Sequence, residues 1–422
     1  MPRLSSLIRT PFTQTLNIMN MKKIFLLSAI ALLMTFSGMA CTTAIVSGKM
    51  TVDGRPLMFK TADGSAENLR TNIYIYNRSG KYAYIGCARL NFPEMNSIFY
   101  GQNEKGLAMV NNTAKDLDAP MSGTYTYGNI IRIALEQCAT VDEVETLLRT
   151  LAPFAYGSNY GCIDAEGNAA YFECGANGYK KYDVNDPSIA PKGYLVRSNY
   201  AMSGDINKGT GVARYRKATD LMERTLHNEK VSWRQLLAFG TCLEHGLTGD
   251  NLYDRIPKDE QTETIVHFTD YIPRYTTGGM VVIQGVKKNE NPLLTTSWLA
   301  MGNPLTTVVI PMWITPEGQL PSSVGKNEKG RCALGDWSMK LKDYIWAYKG
   351  GECHNYIALN RLINKQHTGI LQQVKVIEKP LLDRGEELLN NFRTKGTITK
   401  EYRAYYKWVD EYIQQEYPKL VR

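Results

Sequence analysis

A cysteine thiol at neutral pH is mostly protonated, so a nucleophilic one needs a base beside it or a depressed pKa. Cys41 stands where it can bring its own base. The stretch before it, MKKIFLLSAIALLMTFSGMA from Met21 to Ala40, opens on Lys22 and Lys23 and runs through the apolar segment Ile24 to Phe36. It ends with the small residues Gly38 and Ala40 at positions −3 and −1. That is the three-part layout of a secretory signal peptide. Cleavage after Ala40 would leave Cys41 as the first residue, with a thiol and a free α-amine on one carbon. An α-amine has an unperturbed pKa of about 7.7–8.0 and can take the thiol proton directly or through one water, so no histidine is required. Loss of residues 1–40 would then be the activation step, and a chain still carrying them is expected to be inactive. The competing reading is lipid attachment at Cys41, which wants Leu or a similar residue at −3 and a small one at −2, where this chain has Gly38 and Met39.

Five further stretches place polar residues at the ends of apolar patterns. FKTAD carries Lys60 and Asp63. GQNEKGLAMVNN ends on Asn111 and Asn112, and GYLVRSNY carries Asn199 just past its apolar run. GVARYRKA opens a helical pattern with Arg214 and Arg216, and DAEGNAAYFE reads as a hairpin. Together with CTTAIV, and in this order between Cys41 and Thr315, they resemble the linear-amide C–N hydrolases of the N-terminal-nucleophile superfamily. That group holds the bile salt (choloylglycine) hydrolases, penicillin V acylases and isopenicillin N acyltransferase-type enzymes.

The resemblance implies roles. Cys41 is the nucleophile, Asp63 orients its amine, and the side-chain amide of Asn199 helps form the oxyanion hole. A second donor falls after the NEKGL strand, at Asn112 in preference to Asn111. Arg214, in better register than Arg216, closes the charge network. Lys60 stands where the family has arginine; it replaces a planar fork with a point charge that could still lower the Cys41 pKa. Each residue also has a plain structural reading. Asp63 precedes Gly64 as a turn residue would, Asn199 follows a strand, and Lys60 and Arg214 could be solvated charges.

These positions must be held by strands. TTAIVSG and RPLMFK read as two β-runs joined through TVDG, an Asp-Gly turn of the hairpin kind, which ties Cys41 into a sheet. Further β patterns run over 72–76, 81–88, 97–100, 159–173, 193–200, 278–286 and 306–315. Helical spacing covers 128–151, broken near Ala139 with a capping box from Thr140 to Glu143, then 211–227 and 232–244. Beyond Pro316 the chain turns helical and rich in Tyr, Trp and Lys, over 335–346, 355–365 and 378–417. Strands crowded in the middle with helices between and after them suggest an α+β fold of antiparallel sheets covered by helices. The resemblance makes this a four-layer αββα sandwich with a helical C-terminal segment. The expected organisation is a signal peptide over 1–40, with Met21 as a second possible start, a catalytic domain over 41–315, and a helical segment over 316–422 packed on the same domain.

Composition narrows the function. The leader carries four basic and no acidic side chains, so its loss takes the formal charge from +8 to +4. A mild surplus spread along the chain speaks against nucleic-acid binding, which uses clustered Lys and Arg. The apolar run of the leader is about 13 residues, short of the roughly 20 that span a bilayer. The eight cysteines form no CxxC pair and the five histidines no HExxH, so neither a metal nor a cofactor is expected. Seven cysteines besides Cys41 leave disulfide pairing open, and Cys138 and Cys162 read as buried free thiols.

The expected activity is an exported, periplasmic or extracellular amidase. Its substrate would be a small non-peptide amide such as a conjugated bile acid, a penicillin-like side chain or another N-acyl amine. An acyltransferase on the same site is chemically close, and a homo-oligomer is compatible with the tail. A lipid-anchored surface protein that binds through its tyrosines is the alternative from another class. A Cys–His protease is poorer, since His227, His245, His267, His354 and His367 lack a protease context.

Overall fold

Every residue of the first two strands is buried, the polar ones included, so these strands lie inside a sandwich. The computed structural model describes residues 41–64, 72–89, 97–120, 122–123, 125–328 and 330–421, and residues 40–422 form one compact unit. The leader therefore lies outside the described residues. Fifteen strands are seen: β1 (Thr42–Val46), β2 (Leu57–Asp63), β3 (Asn72–Asn77), β4 (Tyr84–Arg89), β5 (Ile98–Asn103), β6 (Ala108–Thr113), β7 (Ser158–Ile163), β8 (Ala169–Gly175), β9 (Gly178–Asp183), β10 (Tyr194–Arg197), β11 (Ile265–His267), β12 (Thr277–Gln284), β13 (Thr296–Met301), β14 (Val309–Met312) and β15 (Tyr356–Ala358). A six-stranded sheet has the order β10-β1-β2-β12-β13-β14, and β3 to β9 form a seven-stranded meander; β11 and β15 pair separately. Neighbours in both large sheets are antiparallel.

The two large sheets face each other through a mixed core. Gly161 of β7 lets them approach: a Cβ there would lie 2.9 Å from Ile45 Cδ1 of β1. Polar bridges cross the same interface and fix its register. The Tyr171 hydroxyl donates to Thr43 Oγ1 at 2.8 Å, Ser297 Oγ donates to Gln102 Oε1 at 2.6 Å, and Gln102 Nε2 donates to the Thr295 carbonyl at 2.6 Å. Buried polar groups must find such partners or cost stability, so these pairs specify which strand faces which.

Helices cover the outer faces. Along the chain they are α1 (Tyr127–Gln137), α2 (Val141–Leu151), α3 (Val212–Asn228), α4 (Trp233–Phe239), α5 (Ala333–Ile345), α6 (Leu359–Leu362), α7 (Ile370–Lys395) and α8 (Glu401–Leu420). The buried amide of Asn103 on β5 donates to the last carbonyls of α1, Leu135 at 2.9 Å and Cys138 at 2.7 Å. On the six-stranded side, Trp233 of α4 stacks on Trp298 of β13 with ring centroids 3.6 Å apart, and Phe239 meets Phe59 of β2 edge-on at 5.8 Å. The result is the α+β, four-layer arrangement expected, with the helical C-terminal segment present.

The expected helix break near Ala139 is observed between α1 and α2. Thr140 Oγ1 accepts from the Glu143 backbone at 3.2 Å, whereas the Glu143 carboxylate reaches back to the Ala139 nitrogen, one residue earlier than a closed capping box requires. Three departures from the sequence reading stand out. β13 and β9 were not anticipated, because TTSWLAM lacks polar alternation when both faces are buried, and GYKKYD is an edge strand of mostly long polar residues. The helical run expected over 378–417 is two helices, broken at Gly396, whose φ of +69° forms a left-handed cap that glycine adopts at little cost. All eight cysteines are free, Cys138 and Cys162 buried among them. Among the described residues no helix is long and apolar enough to cross a membrane.

The C-terminal helices close the β14 edge. Backbone N–H groups on and beside this strand find side chains instead of another strand: Val308 donates to Tyr417 Oη at 2.9 Å, Val309 to Glu378 Oε2 at 3.0 Å, and Trp313 to Tyr406 Oη at 3.1 Å. An open edge invites pairing with other chains, and α7 and α8 cover this one. Four tyrosines of this tail, Tyr402, Tyr405, Tyr406 and Tyr417, are buried in that cover.

Candidate active site

Cys41 immediately precedes β1, the strand paired on one side with β10 and on the other with β2. This placement gathers residues from four parts of the chain. Lys60 and Asp63 come from β2, Asn111 and Asn112 from β6 of the facing sheet, Asn199 from the turn after β10, and Arg214 from the first turn of α3. All are buried, at 3% exposure for Cys41 and 2% or less for the rest.

The turn after β10 is pinned by its backbone. Thr210 N–H donates to the Asn199 carbonyl at 3.1 Å, and Gly211 follows with φ +85° at the N-cap of α3. A Cβ at Gly211 would sit 2.2 Å from Arg214 Nη2 and 3.1 Å from Ser198 Oγ, so glycine makes room for the guanidinium. Arg214 then reaches three oxygens: Nη1 donates to the Cys41 carbonyl at 2.6 Å and to Thr42 Oγ1 at 2.9 Å, and Nη2 to Asn199 Oδ1 at 2.9 Å. Burial, then the nearby Arg274, pushes the Arg214 guanidinium down to about 10. It remains charged at neutral pH and braces both the nucleophile's backbone and the asparagine beside it. Arg216 is exposed and plays no part.

Asn199 is oriented differently from the expectation. Its Oδ1 accepts from the Cys41 nitrogen at 2.7 Å, while its Nδ2 donates to the carbonyl and the Oγ1 of Thr113, both at 3.0 Å. The end of the amide that an oxyanion would need is turned to Thr113, and the carbonyl end holds the Cys41 nitrogen. While residues 1–40 are attached that nitrogen is a peptide N–H; after their removal the same position would hold the α-amine.

Asp63 is also bound elsewhere than expected. Arg274, just before β12, reaches Asp63 Oδ2 with both Nε, at 3.1 Å, and Nη2. Among the described residues Asp63 has no hydrogen bond to Cys41, and its Oδ1 has no partner. Asn199 therefore has the amine-holding place expected for Asp63.

The two adjacent asparagines take different partners, and Asn112, expected as the second donor, is bound away from the Cys41 sulfur. Its Oδ1 accepts from Thr43 Oγ1 at 2.7 Å and its Nδ2 donates to the Arg197 carbonyl at 3.4 Å, so it ties the sheets together. Asn111 is the one that meets the cluster. Lys60 Nζ donates to the Asn111 carbonyl and to its Oδ1, the latter at 3.2 Å. Asn111 Nδ2 has no partner among the described residues. Neighbouring strand residues point to opposite faces, so only the register of β6 against the other sheet could choose between them.

Lys60 Nζ completes the cluster 3.6 Å from Cys41 Sγ. Its ammonium is held below the ordinary lysine range, first by burial and in smaller part by Arg89, against the opposing pull of Cys41 and Asp63. Arg89 and Arg274 are the residues that sequence reading missed. Arg89 ends β4, donating from Nε to Asn72 Oδ1 at 3.0 Å and from Nη2 to the Asp63 carbonyl at 3.1 Å. An arginine closing an apolar strand pattern was a visible signal for Arg89; Arg274, in IPRYTTGG, offered none.

A groove of about 410 Å³ lies over α1 and the meander, lined in part by Pro120, Tyr125, Phe154, Tyr156 and Tyr160. Tyr160 is the cross-strand partner of Asn111. The groove takes in part of the loop between β6 and α1, at Pro120, Ser122, Gly123 and Tyr125.

Residues 50–230 match the model of the acyl-coenzyme A:6-aminopenicillanic acid acyl-transferase family, a stretch that holds Lys60, Asp63, Asn111, Asn199 and Arg214 and begins after Cys41. A search of curated proteins finds no match. Among solved structures, the chain is similar to the Caenorhabditis elegans ortholog of N-acylethanolamine-hydrolyzing acid amidase, at 15% identity over 60% of this chain and 93% of that one, with a TM-score of 0.36. A variant of the conjugated bile acid hydrolase from Clostridium perfringens aligns at 12% identity over 65% and 92%, with a TM-score of 0.40. Penicillin V acylase from Agrobacterium tumefaciens aligns at 13% identity over 65% and 86%, with a TM-score of 0.35. The match over residues 50–230 supports a place among the N-terminal-nucleophile, choloylglycine-hydrolase-like enzymes, which act on amides as hydrolases or acyltransferases.

Proposed function

We propose that the protein is an exported amidase that cleaves a non-peptide linear amide through a thioester on Cys41, after removal of residues 1–40. The observation that carries this reading is the setting of Cys41. Its sulfur lies 3.6 Å from a buried amine, its carbonyl is held by Arg214 and its nitrogen by Asn199. A thiolate there attacks the amide carbonyl. Asn111 Nδ2, unpartnered among the described residues, supplies a hydrogen bond to the developing oxyanion, a place that Asn199 cannot fill while its amide faces Thr113. The leaving nitrogen takes a proton from the amine groups beside the sulfur, and water then hydrolyses the thioester. The aromatic groove beside Tyr160 suits an apolar acyl group.

The test is turnover by protein beginning at Cys41 on a panel of conjugated bile salts, penicillin V and fatty-acyl amino acids. At least one amide should be cleaved, and Cys41→Ala should lower kcat by about 10⁴-fold or more with the fold retained. Full activity in the Cys41→Ala protein would sink the reading. Added amine separates the two outcomes on the thioester: a new amide product marks an acyltransferase, free acid alone a hydrolase.

A further inference from the structure

Resting on the reading of Cys41 as nucleophile, we propose that Lys60, and not the nitrogen of Cys41, is the proton partner of the Cys41 thiol, so that the thiolate forms while residues 1–40 are still attached. The geometry around Nζ carries this. An amine nitrogen has four tetrahedral positions, one of them taken by its own carbon. Two of the remaining three point at the Asn111 carbonyl and Oδ1, and the third faces Cys41 Sγ at 3.6 Å. That last position either receives the proton of the thiol or holds a proton given back to sulfur. In the transfer the S–H bond breaks, its electron pair stays on sulfur, and a new N–H bond turns the amine into an ammonium. No other reactant is needed.

The Cys41 nitrogen is not available for this task in the uncleaved chain. A peptide nitrogen has no basic lone pair, and its hydrogen is donated to Asn199 Oδ1 at 2.7 Å. Among the described residues Lys60 is the one side chain hydrogen-bonded to Cys41 Sγ, and no carboxylate forms an ion pair with it. The titratable groups that face Lys60 are Cys41 before β1, Asp63 on its own strand, and Arg89 and Cys87 on β4. Burial, and in smaller part Arg89, weaken its hold on a proton, which favours an amine able to accept one. Arginine, which stays protonated throughout the working range, could not exchange a proton in this way. The lysine that departs from the family pattern thus becomes a catalytic residue in its own right.

The test reads thiolate absorbance at 240 nm against pH, as the difference between each protein and its Cys41→Ala counterpart. It needs neither substrate nor turnover, so a failed substrate panel and a failed Lys60 assignment give different results. Leader-bearing protein, made uncleavable by Ala40→Arg, and protein starting at Cys41 should show the same thiolate titration. Its midpoint should lie at least one pH unit below the ordinary thiol value of about 8.5. Lys60→Met should raise that midpoint by a unit or more, leaving about tenfold less thiolate at neutral pH. A thiolate that appears only once the leader is gone would overturn the proposal, as would a Lys60→Met profile that matches the parent. If Lys60→Met does not fold, the comparison with and without the leader decides alone.

Discussion

At the β14 edge of the six-stranded sheet, Tyr417, Glu378 and Tyr406 accept from three backbone N–H groups that would otherwise face a missing strand. Around Cys41 polar atoms are buried too, but two of them, Asn111 Nδ2 on β6 and Asp63 Oδ1 on β2, have no partner among the described residues. Burying an unpaired polar atom costs about 1–3 kcal/mol. The difference separates a closed edge, where helices finish a sheet, from a cluster around Cys41 that keeps two polar atoms without partners among the described residues. What distinguishes them is whether the capacity is used up.

This contrast can be broken or sharpened by substitution. The largest effect is expected at Arg214, which braces Cys41, Thr42 and Asn199. Arg214→Met should cost about 3 kcal/mol in urea unfolding, because three buried oxygens lose their donor, and amide turnover should fall with it. Next, Asn111→Ala should lower kcat by about 100-fold, the usual effect of removing an oxyanion donor, with little change in the unfolding midpoint. Asn112→Ala should do the reverse, costing about 1 kcal/mol of stability through the lost Thr43 bond and sparing most of kcat. Equal kinetic losses at the two positions would erase the distinction between them.

At the closed edge, Tyr417→Phe and Tyr406→Phe should each cost about 1 kcal/mol in denaturant unfolding and leave kcat unchanged. A large kinetic loss there would show that the β14 edge and the Cys41 cluster are coupled. The smallest effect is in pH dependence. The folded-state pKa of Lys60 is lowered by burial, so above that value the unfolded chain binds the extra proton. Its contribution to stability therefore rises with pH toward the ordinary lysine value. Unfolding free energies between pH 7 and 10 should rise less steeply in Lys60→Met than in the parent, and an identical slope would remove Lys60 from the set of perturbed groups.

Much of the site was legible because its residues end periodic patterns. Lys60 and Asp63 close a β-run, Asn199 follows one, and Arg214 opens a helix after Gly211. Sheets place the ends of neighbouring strands together, so polar residues at such ends tend to meet. What could not be read were the directions of side chains and the partners from distant sequence. Arg274 lies 211 residues from Asp63, and nothing local marks it as the group that takes that carboxylate. The orientation of the Asn199 amide depends on Thr113, a residue of the other sheet. The helix boundary at Gly396 was hidden because Tyr, Leu and Lys carry helical spacing on both sides of it.

The sequence by itself determined that strands would crowd the middle of the chain, that helices would finish it, and that Cys41 would be tied to the start of a buried strand. Periodicity and turn chemistry are local, and they suffice for that. Only the tertiary structure decided that Asn111 rather than Asn112 meets the cluster, that Asn199 rather than Asp63 holds the Cys41 nitrogen, and that the Lys60 amine faces the sulfur. These choices depend on sheet register and on competition among buried hydrogen-bond partners far apart in sequence. Both are settled by packing, which a linear pattern does not record.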